Sequence, residues 1–122
     1  MTMSAVKRSS EFAPERLAIA VSEHGTTTTI VLTGEWGLAE RSATREAIRG
    51  ALERYPESVV LDLSRLSFID SSGLHVIIDL HKRAQHQNIR LMIVPGEHAV
   101  QRAFELCQLL DVLPFVGAGQ RE

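Results

Sequence analysis

Apolar residues in this chain recur first at every second position and then at helical spacing; from there, solid apolar runs and helical spacing take turns to the end. Leu17, Ile19 and Val21 alternate with smaller or polar residues, the pattern of a half-buried strand. His24 and Gly25 supply a turn, and the β-prone run 27–33, with Ile30, Val31 and Leu32, predicts a second strand paired antiparallel with the first. Ala43, Ala47, Ile48, Ala51, Leu52 and Tyr55 share one face of a helix expected over residues 39–55 and stopped by Pro56. Arg41, Arg45, Arg49 and Arg54 then fall mostly towards water. Val59 to Leu63 is a short, almost solid apolar run, which predicts an interior strand covered on both faces. A second helix is expected from Ser71 or Ser72 to Gln87, with Leu74, Ile77, Ile78 and Ala84 inward and Asp79, Lys82, Arg83 and His86 outward. Residues 89–94 predict another interior strand, ended by Pro95 and Gly96. Residues 98–109 predict a third helix that buries Val100, Ala103, Phe104 and Cys107. Residues 112–116 predict a short edge strand, where Pro114 is tolerable. The order ββαβαβαβ argues an α/β fold, a mixed and mostly parallel sheet with crossover helices.

A chain of 122 residues is the size of one such domain. It is expected over residues 15–117, between a flexible Ser-rich leader at 1–14 and a polar tail at 118–122. With 44% hydrophobic but only 5% aromatic residues, its core must be built from Leu, Ile, Val and Ala. Net charge is −2 and the cations are scattered, so the basic footprint of a nucleic-acid binder is missing. The single cysteine, Cys107, has no CxxC or His/Cys companions, which fits a reducing cytosol. Neither a secretory h-region nor an apolar run of about 20 residues is present, so membrane insertion is not expected and the protein reads as cytoplasmic.

The chemistry concentrates between Leu61 and Leu74. A buried strand leads through a loop into a helix that opens with Asp70, Ser71, Ser72 and Gly73. A serine at the N-cap can accept a hydrogen bond from a free N–H of the first turn. Asp70 is favoured by the partial positive charge at that end of the helix. Binding loops collect at the carboxyl ends of strands in open α/β sheets, and free N–H groups there suit a phosphate. By itself, Asp-Ser-Ser-Gly ahead of an apolar helix is equally an ordinary capping sequence.

The larger frame points further. Leu32-Thr33-Gly34-Glu35 follows the second strand, and Leu61-Asp62-Leu63 leads into Phe68-Ile69-Asp70-Ser71-Ser72-Gly73-Leu74. Ala99-Val100-Gln101-Arg102-Ala103-Phe104 then precedes Leu109-Leu110. In that order the sequence resembles the STAS family, specifically its anti-sigma factor antagonists, from about Leu17 to Phe115. The resemblance implies a non-enzymatic, cofactor-free protein that binds an anti-sigma factor and so frees a sigma factor for transcription. It implies that the anti-sigma factor is itself a serine kinase of the histidine-kinase-like ATPase type, and that a separate phosphatase reverses its action. The acceptor would be Ser71, with Asp70, Ser72 and Gly73 as the immediate recognition surface and Glu35, Trp36 and His75 extending it. Two positions depart from the family pattern. Trp36-Gly37 stands where a Leu-Asp pair is usual, so Trp36 is either core or an exposed anchor. His75 stands where a small glycine is common, and there it narrows the fit of a kinase or tunes it with pH.

The rival reading is a STAS module that is not phosphorylated and holds a different partner constitutively, in a stress-sensing complex or beside a transporter. Other chemistry finds little support. His75 and Asp79 share a helical face without a third metal ligand. No GxSxG elbow, Walker GxxxxGK or GxGxxG is present.

Overall fold

The computed structural model describes residues 16–117. The leader and tail expected at 1–14 and 118–122 lie outside the described residues. Strand β1 (Leu17–His24) and strand β2 (Thr27–Trp36) form an antiparallel hairpin in full register from Leu17 opposite Gly34 to His24 opposite Thr27. A 3-10 turn (Leu38–Glu40) leads into helix α1 (Arg41–Leu52). Strand β3 (Ser58–Ile69), helix α2 (Ser71–His86), strand β4 (Arg90–Val94) and helix α3 (His98–Leu106) complete the order. The sheet runs β1-β2-β3-β4, with β2, β3 and β4 parallel.

Each parallel strand is laid beside the last in one direction. Right-handed crossovers therefore put α1 and α2 on the same face of the sheet. That face holds the core: Ile30 and Leu32 of β2, Leu61 and Leu63 of β3, Leu91 and Ile93 of β4, against Ile48 and Leu52 of α1 and Ile77 and Leu80 of α2. The other face carries Thr29, Val31, Val60, Asp62, Met92 and Val94, all half-buried. The expectation that β3 and β4 are covered on both faces is thus corrected. Along both strands full burial alternates with partial burial.

Three further expectations change. The buried face of α1 is Thr44, Ile48, Ala51 and Leu52, not one that includes Ala43, which is exposed. The indole N–H of Trp36 sets that rotation by donating to Thr44 Oγ1 at 3.2 Å. Tyr55 lies beyond the helix end with φ +52 and is 76% exposed. Helix α3 stops at Leu106 in a Schellman turn: Gln108 N–H reaches Glu105 O at 3.0 Å and Leu109 N–H reaches Phe104 O at 2.9 Å, with Gln108 at φ +60. The turn carries Cys107 out to the surface, so it is not a core residue. Residues 112–116 supply a single parallel bridge from Phe115 to Ile93 in place of a strand. Pro114 has no N–H to extend the ladder. Phe115 is held instead by packing edge-on against Phe104, centroids 4.9 Å apart.

Candidate functional site at the junction of β3 and α2

The stretch after Leu63 was expected to be a loop, yet β3 continues through it to Ile69. Two irregularities in its pairing with β2 make this possible, one between Val31 and Thr33 and one between Gly34 and Glu35. Each adds a residue on the β3 side, so Leu66 and Ile69 both point inward although they are three apart. Gly34 makes the second possible. It has φ +112, and a Cβ there would lie 2.1 Å from Arg16 O, which accepts the neighbouring Glu35 N–H at 2.6 Å. Ser67 Oγ closes the irregularity by donating to Gly34 O at 3.1 Å.

At the end of β3, Asp70 N–H donates to Trp36 O at 3.1 Å, which ties the junction to β2. Asp70 itself is the N-cap of α2. Its Oδ1 accepts from Ser72 N–H at 2.9 Å and from Gly73 N–H at 3.4 Å. The expectation of a serine cap is therefore corrected: the aspartate caps the helix. Ser71, the first helical residue, is exposed, and its hydroxyl makes no hydrogen bond to a described residue.

The remaining expected site residues separate into two groups. Glu35 and His75 are exposed, and Ser72 is half-buried at the surface beside Ser71. Gly73 and Trp36 are buried, and of the two places open to Trp36 the core is the one it takes. A Cβ on Gly73 would lie 2.7 Å from Ile69 Cγ1 and 3.0 Å from Trp36 Cδ2, so glycine lets the first turn of α2 rest on the indole. Trp36 is 0% exposed and belongs to the core. Its neighbour Gly37 is pressed to the back of the cap, where a Cβ would meet Asp70 Oδ2 at 3.2 Å, and its N–H donates to Glu40 Oε1 at 2.9 Å. Sequence reasoning missed Phe68 and Leu38, which are 49% and 64% exposed at the same end of the sheet. The signal for Phe68 was present in the three-residue spacing of Leu66 and Ile69, which breaks strand alternation.

Fold and junction together define the class: a small α/β domain that carries its distinguishing residues where one interior strand passes into a helix. The chain belongs to the STAS domain family, whose model matches residues 18–118. It is 26% identical over 97 residues to the anti-sigma-F factor antagonist RsfB of Mycobacterium tuberculosis, covering 80% of this chain and 79% of that relative. A solved anti-sigma factor antagonist from Mycobacterium paratuberculosis superposes with a TM-score of 0.78 at 22% identity, over 90% of this chain and 98% of the other. The antagonist SpoIIAA in its unphosphorylated form matches with a TM-score of 0.70 at 20% identity, over 84% and 90% of the two chains. Phosphorylated SpoIIAA from Bacillus matches with a TM-score of 0.64 at 19% identity, over 84% and 94%. At these identities the solved structures speak for the fold. Among the described residues, no helix is long and apolar enough to cross a membrane.

Proposed function

We propose that this STAS domain is an anti-sigma factor antagonist that works by binding, in the cytoplasm, and is switched off by phosphorylation of Ser71. The partner is an anti-sigma factor that doubles as the serine kinase, and a phosphatase restores the binding form. The observation that carries the reading is the division of labour at the junction. Asp70 caps the helix, which leaves the Ser71 hydroxyl exposed and uncommitted. RsfB, the relative described above, is named for the same activity.

The switch needs no rearrangement. A phosphoryl group adds about −1.5 to −2 charges and three acceptor oxygens. On the first residue of a helix that charge is well tolerated, since it faces the positive end of the dipole. Under a docked partner the same group must be stripped of water next to Asp70, which costs several kcal/mol unless cations meet it. A loss of about 4 kcal/mol weakens binding about a thousandfold. Incubation with the cognate anti-sigma factor and ATP should place one phosphate on Ser71 by mass spectrometry, and none on a Ser71→Ala chain. Ser71→Ala should stay bound to the kinase, whereas Ser71→Asp should fold normally and bind weakly. Tight binding with no phosphate on any serine would favour the constitutive module instead, with Asp-Ser-Ser-Gly acting only as a helix start.

A further inference from the structure

Phe68 stands against the alternation of its own strand. After the buried Leu66, strict alternation would turn Phe68 inward and Ile69 outward. The extra residue at Ser67 reverses this: Gly34 pairs with Leu66, and the next residue, Glu35, pairs with Phe68. Ile69 takes the inward place next to Trp36, and the phenyl ring is left half in water with the Glu35 carboxylate directly across the strand pair. Asp70 follows two residues later. The nearest cation along β3, Arg65, sits two rungs back opposite Thr33. Leu38, more exposed still, heads the 3-10 turn that contacts α2. Of the two places open to Trp36, core or exposed anchor, the core is the one it takes, yet a different aromatic is held out at the same end of the sheet.

We infer that Phe68, supported by Leu38, is the apolar anchor of the surface around Ser71, and that it fits a protein partner offering an apolar pocket with a basic rim towards Glu35 and Asp70. Aromatic side chains that enter a partner's pocket carry a large share of binding energy, while surrounding polar groups contribute register. The inference rests on the antagonist reading and adds a reason for the switch. A partner that covers the phenyl ring and reaches Ser71 as well must strip water from a phosphoserine there, so phosphorylation opposes the same docking.

Titration calorimetry of the cognate anti-sigma factor against the full chain tests this, with thermal unfolding as the control for folding. Phe68→Ala should weaken binding about 30-fold or more, Leu38→Ala about 5-fold, and Phe68→Leu only slightly. All three should melt within a degree or two of the parent, because neither side chain belongs to the core. A wild-type chain that does not bind overturns the antagonist reading and the anchor together. A wild-type chain that binds while Phe68→Ala binds equally well, within about threefold, overturns the anchor alone.

Discussion

Asp70 and Ser71 are neighbours with separate tasks, and substitution can part them. Replacing Asp70 with Ala removes the oxygen that holds Ser72 N–H and Gly73 N–H. The expected loss is about 1 kcal/mol, while Asp70→Asn should keep the cap and most of the stability. In a thermal melt the alanine variant should fall by about 4 °C and the asparagine variant hardly at all. Gly73 has the opposite sensitivity. A methyl group there must push aside Ile69 and Trp36, so Gly73→Ala should destabilise by about 1–3 kcal/mol, read from urea unfolding. A Gly73→Ala chain as stable as the parent would mean that α2 does not seat on the indole as described.

Helix ends are where element-level stability can be altered without touching the core. Helix α2 closes as α3 does: Asn88 N–H reaches Gln85 O at 3.3 Å and Ile89 N–H reaches Ala84 O at 2.8 Å, with Asn88 at φ +60. Asparagine tolerates that left-handed conformation better than glutamine does, so the strain is greater at Gln108 in the α3 turn. Gln108→Gly should therefore stabilise the domain by up to about 1 kcal/mol, and Asn88→Gly by less. An unchanged or lower denaturation midpoint for Gln108→Gly would contradict this ordering. Along α1, Arg49 meets both Glu46 and Glu53, and Glu46 above all raises the guanidinium pKa further. That cluster lies in open solvent and decorates the helix without deciding its place.

Across the whole molecule, the two crossover helices α1 and α2 share one face of the sheet and pack on each other. The helix layer is joined at its surface by Arg45 of α1 and Asp79 of α2, 3.0 Å apart and both about half exposed. A pair so placed contributes little, and Arg45→Ala should cost less than about 1 kcal/mol, with the difference vanishing in high salt. The apolar side chains beneath it, Ile48, Leu52, Val76 and Leu80, keep the two helices together. Ile77→Ala, at a fully buried position between α2 and the sheet, should instead cost about 2–5 kcal/mol in chemical denaturation.

Period and punctuation in the sequence were enough for the order of elements through α3, the hairpin and the start of α2, because each depends on residues within a few positions of one another; the parallel crossovers followed from the alternation of strand and helix. That an aspartate and a serine together open α2 was legible for the same reason. Which of the two capped the helix was not, since Asp, Ser and Asn are close to equal as caps and only the path of β3 selects among them. The sequence could not place Trp36 or Phe68. Whether an aromatic ring is core or surface depends on strands and helices distant in the chain: Thr44 of α1 and Gly73 of α2 enclose the indole, and a bulge against β2 turns the phenyl outward. Likewise Cys107 lies on an apolar stripe in sequence but on the surface in space, because a local turn ended its helix one residue too soon.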